Sequence, residues 1–541
     1  LTLQARLPAL AALWPGLPGG AELDFAVSGP LADHQGRLQA RYAPPDARDG
    51  VPGQAPASLD LAFGGGWTQA QGWRGRLTAL RAEHAGLVLD SQAAVPLAFD
   101  DAGGWQVGQA DIGLALDGET LLHLRHQASA GGPGRWETRG RIDPLTITPE
   151  RIARLQAWLG RAGARQGGVR THLSEQARHS RLDASLDWNL AFDGALSGDI
   201  HLARQGGDLI VPGDVPIELE LEDARLDVAI RRTGAGLSRA DADLRIRTRE
   251  MGSVRLRADT PVHATPGGGL ALRPQDERHL RFEAQSEDLA WVNLLLGGQM
   301  EVGGTLHADI QGRSRPDGHW TLSGPLRGDG LRVLIADQGV RLLDGTLQAH
   351  FDGTRLLLDH LRFPAVRRVV PKEWRTATWI AENPDAQGGG LDVSGAWDLA
   401  AGDGQVDIAF RRYPILQRSD RYAMVSGDIQ VRMTLPEIRI GGKITADAGW
   451  FDLDMLNAIP ALDGDVVVLA PGQTMESLAC PDAPAQAAGP CPGSSPPLDL
   501  AANLTIDLGP RFYLTGFGVN SGLVGSMDLR LQDGKLTALG Q

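Results

Sequence analysis

The sequence predicts an all-β protein that folds as an elongated, mostly antiparallel groove with an apolar interior and a few short helices. Most segments alternate apolar and polar side chains with a period of two, which is the pattern of a strand with one buried face. The 70 glycines in 541 residues are roughly twice the average usage, and many follow Asp at hairpin-like turns. Sheets with many strands twist and curl instead of staying flat. Because most of these strands have one apolar face, we expect the curled sheet to enclose that face and form a groove.

The stretch GVRLLDGTLQAHFDGTRLLLDHLRFPA, residues 339–365, shows the pattern most clearly. Asp352-Gly353 predicts a two-residue hairpin turn, because glycine tolerates the positive φ that such turns require. The side chains expected on the apolar face are Leu347, Ala349, Phe351, Leu356 and Leu358.

The same alternation returns in 426–449, 498–508 and 525–538. Together these segments supply the predicted lining of the groove. It comprises Leu347, Ala349, Phe351, Leu356, Leu358, Ile429, Val431, Met433, Leu435, Ile444, Leu500, Leu504, Ile506, Met527, Leu529 and Leu531.

Helical signals are few and interrupt the strands. TPERIARLQAWLG, residues 148–160, has Thr148 as N-cap and Pro149 at the first helical position. Residues 287–298 and 450–460 are shorter candidates. Charged, Pro-rich and Gly-rich stretches predict irregular loops at 364–390 and 471–497. We divide the chain into a repetitive β-groove segment, 1–275, and a second β-groove segment, 276–541.

The two cysteines, Cys480 and Cys491, lie close together in the second of these loops. Their spacing favours a disulfide that closes a surface loop in an oxidising compartment. The alternative is two unrelated exposed thiols in a flexible insert.

Charge and motifs disfavour several function classes. The formal net charge of -14 disfavours nucleic acid as a partner, because phosphate binding requires clustered Lys and Arg. The sequence contains no GxSxG, HExxH or paired CxxC motif, so we expect no enzyme, no metal site and no cofactor. No apolar run approaches the ~20 residues of a membrane-spanning helix, and we expect an anchoring segment upstream.

The second half of the chain resembles the TamB family, the translocation and assembly module proteins of Gram-negative bacteria, within the AsmA-like group. The first 275 residues resemble the family's repetitive middle in pattern alone. The resemblance rests on the order of five phrases, which begin DLAWVNLLLGG (288–312), SGPLRGDGLRV (323–363), GKITADAGWFDL (442–453), ALDGDVVV (461–468) and LDLAANLTIDL (498–531).

The resemblance implies a β-taco-like groove in a periplasmic protein anchored in the inner membrane. It implies bulk movement of phospholipid between the inner and outer membranes, with acyl chains in the groove. It also implies an outer-membrane barrel partner, TamA, and a role in assembling outer-membrane proteins. The family's anchor and final segment are both expected to be missing, and whether lipid or nascent outer-membrane protein is the cargo stays open.

Three other interpretations remain. A secreted or autotransporter-like structural or adhesive β-helix also stacks strands, but its inward side chains fill a dry core, and the DG turns favour antiparallel pairing instead. A transmembrane barrel would need aromatic girdles, whereas aromatic content is 5%. A polysaccharide-cleaving enzyme would need a carboxylate pair in a cleft.

Overall fold

The computed structural model of the protein describes most of the chain. The predicted disulfide cysteines Cys480 and Cys491, the loop at 471–497 and the lining residue Leu435 lie outside the described residues. The described ranges are 1–10, 19–44, 55–161, 180–211, 217–265, 270–294, 300–336, 338–383, 388–434, 436–456, 499–532 and 535–541.

The chain divides into two compact units. Unit 1 contains Leu1–Ser286 and Gln311–Trp320, and unit 2 contains Glu287–Ile310 and Thr321–Gln541. Each unit is described by itself below.

Strands dominate unit 1. They are β1 Thr2–Leu7, β2 Gly20–Ser28, β3 His34–Ala43, β4 Ala57–Thr68, β5 Gly72–His84, β6 Leu87–Ser91, β7 Val95–Phe99, β8 Trp105–Val107, β9 Ala110–Leu116, β10 Glu119–Gly132, β11 Arg135–Ile147, β12 Arg181–Asp193, β13 Leu196–Asp208, β14 Ile210–Val211, β15 Ile217–Glu218, β16 Leu221–Gly234, β17 Leu237–Thr248, β18 Ser253–Ala264, β19 Leu270–Ala271 and β20 His279–Ser286.

The strands that follow have most of their residues in unit 2. They are β21 Glu301–Ser314, β22 Trp320–Ile335, β23 Val340–Gly353, β24 Arg355–Pro364, β25 Gly390–Asp398, β26 Asp403–Gln417, β27 Arg421–Thr434, β28 Glu437–Asp452, β29 Asp499–Asp507, β30 Phe512–Gly516, β31 Val519–Leu523, β32 Ser526–Gln532 and β33 Lys535–Gly540.

Helices are short. The described helices are α1 Pro149–Arg161, α2 Trp374–Glu382, α3 Leu453–Leu456 and a 3₁₀ helix at Leu289–Leu294. The α1 helix begins where the sequence predicts, because the Thr148 hydroxyl accepts a hydrogen bond from the Arg151 amide at 3.3 Å. Part of the predicted loop at 364–390 is helical instead, since α2 lies within it.

Neighbouring strands pair antiparallel almost throughout, which confirms the all-β, mostly antiparallel prediction. The exceptions among the described pairs are β29 and β30, which both pair with β28 in parallel. The hairpin predicted at Asp352-Gly353 is displaced by one residue: Asp352 pairs with Arg355, so Gly353 and Thr354 form the turn. The alternation is kept from Leu347 to Phe351 on β23 and from Leu356 to Leu358 on β24, where a bulge at Asp359 then interrupts it.

The two faces of the unit 1 sheet have opposite chemistry. An apolar ladder crosses one face, and a ladder of charged and polar side chains crosses the other, with His201 Nδ1 lying 2.8 Å from the Asp227 carboxylate. The apolar ladder is Leu186, Leu202, Leu226, Leu244, Leu256 and Phe282, and each member pairs with the next.

The most strongly paired carboxylate of the charged face is Asp243. It accepts hydrogen bonds from Arg255 Nη2 at 2.6 Å and Arg245 Nη2 at 2.7 Å. These two guanidinium groups hold the pKa of the Asp243 carboxyl well below its usual range. The carboxylate therefore stabilises the folded sheet when it is ionised.

Replacing Asp243 with Asn is expected to destabilise unit 1 by about 1 kcal/mol at neutral pH. Because the folded pKa is depressed, this stabilisation is full above the unfolded pKa of about 3.9 and is lost as the pH falls below it. Urea midpoints should therefore differ between the parent and Asp243→Asn at pH 7, and the difference should shrink progressively as the pH falls below about 4 toward the depressed pKa of the folded state. Asp33→Asn, in the exposed turn between β2 and β3, serves as the control.

Aromatic rings lie over glycines on neighbouring strands, where a Cβ would overlap them. This arrangement explains part of the high glycine content, because any larger residue at these positions would place a side chain in the space that the ring occupies. The pairs are Phe63 over Gly36, Trp73 over Gly65, Trp105 over Gly131, Trp188 over Gly140, Phe363 over Gly345 and Phe512 over Gly449.

Gly345→Ala is expected to lower the local free energy of unfolding by about 1–3 kcal/mol, because the new methyl group displaces the buried Phe363 ring. Gly206→Ala is a matched strand control, since nothing lies within 4 Å of its added Cβ. Hydrogen exchange of peptides that span each site measures both effects. Equal effects of the two substitutions would contradict this role of the bare glycine beneath the ring.

An apolar sheet face as the candidate functional site

The candidate site is the apolar face of unit 2, which the strand register assembles from β23 to β33. Ladders of apolar side chains run across the strands on this face. In one of them Ile408 pairs with Ile429, which pairs with Gly442. Gly442 in turn pairs with Leu504, and Leu504 pairs with Leu529.

The structure brings the described members of the predicted lining onto this face as cross-strand pairs. Phe351 pairs with Leu356 and Ala349 with Leu358, and Leu347 precedes them on the same side of β23. The other predicted members pair in the second part of the face. These pairs are Met433 with Ile438, Val431 with Ile440, Ile438 with Leu500, Ile444 with Ile506, Ala502 with Leu531, Leu504 with Leu529 and Ile506 with Met527.

This face is open rather than filled. Ala349 is buried and Leu500 is 39% exposed, while every other described member of the predicted lining is partly buried. In a sealed sandwich, side chains in the middle of long strands would instead be fully buried. Among the described residues of unit 2, apolar side chains therefore line an accessible surface.

One end of the face is closed, which the local sequence patterns do not predict. Val340 of β23 pairs with Leu416 of β26, so these strands meet across the opening. A core of Phe363, Leu391, Phe410, Tyr413 and Val425 fills the space beneath. Burial raises the pKa of the Tyr413 phenol, whose hydroxyl donates to the Arg341 carbonyl at 3.3 Å. The groove is therefore plugged at this end of its strands.

Helix α2 packs on the opposite face of β27. Ile380 contacts Tyr422 and Met424. The side chains of these two residues point to one face of β27, and that of Val425 points to the other face, into the core that closes the groove. Burial raises the pKa of Tyr422 to about 12. The Arg511 guanidinium lies 4.4 Å from the centre of the Trp379 ring, which fixes the helix to the start of β30.

Strand β33 forms an exposed edge of unit 2. It pairs with β32, and no other described strand pairs with it. Leu536 and Leu539 on this strand are 67% and 66% exposed. Its free backbone groups are available for pairing with another strand.

A comparison with protein-family models matches this part of the chain. The matching model is described as the TamB C-terminal domain, and the match covers residues 381–541. Residues 381–541 are therefore similar to the TamB C-terminal domain. The resemblance found in the sequence is confirmed over this range. No curated protein and no solved structure matches the chain.

The matched range contains the open part of the apolar face from β25 to β33, together with the end of α2. The TamB family, which the model describes, acts in the translocation and assembly module of the cell envelope. The lining residues on β23 and β24 precede the matched range but share the face. None of the helices in the described part of the chain has the length and apolar character needed to cross a membrane.

Proposed function

We propose that the protein is a periplasmic conduit whose apolar sheet faces carry the acyl chains of phospholipids between the inner and outer membranes. In this proposal the full-length protein is anchored in the inner membrane and works with the outer-membrane barrel TamA. The cell-envelope role of the TamB domain supports the location.

The observation that carries the proposal is the partly buried apolar face of unit 2. Its ladders continue from strand to strand, so an acyl chain moving from one strand to the next meets apolar side chains at each step. The nine residues of β29 span about 30 Å, which is wide enough to shield acyl chains while a headgroup stays in water. The opposite face carries the charged residues and would remain solvated.

The energetics show why such a face would be needed. Exposing acyl chains to water costs about 0.8 kcal/mol per CH₂, so a two-chain lipid in an aqueous gap faces a penalty on the order of 20 kcal/mol. A continuous apolar surface removes that penalty without a catalytic residue, a metal or a cofactor. We therefore propose a non-enzymatic function, with the direction of flow set by gradients or partners.

Lipid extraction from the purified chain, combined with native mass spectrometry, tests this proposal. We expect glycerophospholipid to co-purify, and added lysophospholipid to compete for the same surface. A chain that is well folded by circular dichroism, carries no lipid and takes none up from detergent-solubilised mixtures would contradict it.

The exposed edge of β33 favours a second role, in which nascent outer-membrane strands pair with it on their way to assembly. Ala538→Pro would remove a backbone donor that faces away from β32, because Ala538 and Leu529 form a non-hydrogen-bonded pair, and the side chain that it replaces is small. If this role holds, the substitution should reduce capture of an outer-membrane strand peptide and leave lipid uptake unchanged.

A further inference from the structure

A group of exposed basic and apolar side chains lies on unit 2 away from the groove. It belongs to the segment between β24 and α2, and we name it the basic–aromatic surface: Arg367, Arg368, Val370, Lys372 and Trp374. Trp374 is 70% exposed and Val370 is 63% exposed. The three basic side chains are exposed as well.

The segment is held firmly although its side chains point outward. Gln417, which is 1% exposed, accepts a hydrogen bond from the Arg368 amide at 2.8 Å and donates one to the Val366 carbonyl at 3.0 Å. Glu373 caps α2 by accepting a hydrogen bond from the Thr376 amide at 2.6 Å. Buried polar contacts therefore fix the backbone that presents these residues.

The charges of this surface lack partners within the described chain. Several exposed arginines elsewhere pair with carboxylates, such as Arg231 with Asp241 at 3.1 Å. No described carboxylate lies within ion-pair distance of Arg367, Arg368 or Lys372. Glu373, the carboxylate nearest in sequence, is already engaged by Arg375 at 2.6 Å, and Asp420, three residues after Gln417, is engaged by Arg418 at 2.7 Å.

A second apolar element adjoins Trp374. The Arg375 guanidinium lies 6.0 Å from the centre of the Trp374 ring and 4.0 Å from that of Tyr513, and it donates to Asn520 at 2.6 Å. Asn520 belongs to the hairpin of β30 and β31, whose turn residue Phe517 is 64% exposed. Cations and protruding apolar rings are thus combined on one rigid support.

We propose that the basic–aromatic surface docks on a membrane that contains anionic phospholipid. Three positive charges that are unpaired among the described residues, together with an exposed Trp, lie within eight residues of a chain of net charge -14 and favour an anionic partner. Trp side chains prefer the boundary between lipid headgroups and acyl chains, so an exposed Trp beside basic residues suits a membrane surface. Binding to an acidic protein would require the basic residues but not the exposed Trp. The proposal does not depend on the groove carrying lipid.

Vesicle flotation with the full chain tests it, using phosphatidylglycerol-containing vesicles against pure phosphatidylcholine. The parent should bind the anionic vesicles preferentially and lose binding in high salt. The triple variant Arg367→Ser, Arg368→Ser, Lys372→Ser should bind about ten- to a hundredfold more weakly. Trp374→Ala should weaken binding severalfold, while Trp374→Phe should retain most of it.

Two control variants show whether vesicle binding depends on this surface in particular. Arg76→Ser, Arg125→Ser, Arg139→Ser removes the same number of exposed charges from unit 1 strands and should bind like the parent. Arg432→Ser, which removes an exposed charge elsewhere in unit 2, should also bind like the parent. Circular dichroism checks that every variant is folded.

Three results would overturn the proposal. The first is that the parent shows no preference for anionic vesicles. The second is that the triple variant binds no more weakly than its unit 1 control. The third is that soluble polyglutamate competes fully with the vesicles while Trp374→Ala binds like the parent, which would mean that the surface binds an acidic protein.

Discussion

An arginine or aspartate at Leu504, Leu529 or Val431 is expected to reduce phospholipid transfer between donor and acceptor vesicles by about a hundredfold. A charge facing acyl chains costs about 2.5–3.5 kcal/mol, and about 1.4 kcal/mol corresponds to one factor of ten in rate. The three positions lie on the open face and are partly buried, so a long charged side chain reaches water and the sheet stays folded.

The matched control is Asn503→Arg. Asn503 precedes Leu504 on β29 and is exposed on the opposite face, so its charge does not meet the acyl chains. Asn503→Arg should transfer lipid at the parent rate. Full transfer by all three groove variants, each shown to be folded, would rule out this face as the path.

Phe410→Ala is expected to lower the local free energy of unfolding by about 3–5 kcal/mol, whereas Leu504→Ala should lower it by about 1 kcal/mol or less. Phe410 is 8% exposed in the plugged end of the groove, so its removal leaves a cavity. Leu504 lies on the open face, where truncation leaves no enclosed void.

Hydrogen exchange of peptides from β26 and β29 measures the two effects separately. Ile380→Val removes one methyl group from the contact between α2 and β27 and should lower the local free energy of unfolding by about 1 kcal/mol, which gives a reference for a small change at a buried site. Losses of similar size at Phe410 and Leu504 would mean that the open face is a sealed core.

The sequence was sufficient to predict which side chains share a face, because alternation is a local property of an extended chain. Leu504 and Leu529 both lie on the apolar face, as the alternation within each strand predicts. The turn after Phe351 was misplaced by one residue because Gly353, with φ of 68°, takes the first of the two central turn positions rather than the second. The error did not change which side chains of β23 and β24 were assigned to the apolar face.

Features that depend on distant residues could not be predicted from local patterns. The pairing of Val340 with Leu416 joins strands far apart in the chain, and no local pattern encodes it. Helix α2 was hidden because Trp374 and Pro371 stand in a charged, irregular stretch, and its N-cap is Glu373 rather than Ser, Thr, Asp or Asn. One local signal of this helix was present in the sequence: Thr376 and Ile380 are four residues apart, which places both on one helical face, and both are buried.

The parallel placement of β29 along β28 was missed for the same reason. Both strands have clear alternation, but their order along the chain and the hairpin signals around them favour antiparallel neighbours. The pairing of Gly442 with Leu504 requires knowledge of where the chain re-enters the sheet after residue 456.

Site-specific photocrosslinking tests the central claim most directly. A photoreactive amino acid at Val431, Leu504 or Leu529 in the full-length protein, followed by mass spectrometry, should yield adducts with phospholipid acyl chains. The same probe at Asn503 or Arg530, on the opposite face, should not. Equal lipid capture on both faces, or capture of none at the groove positions in an efficiently activated sample, would contradict an acyl-chain path along this sheet.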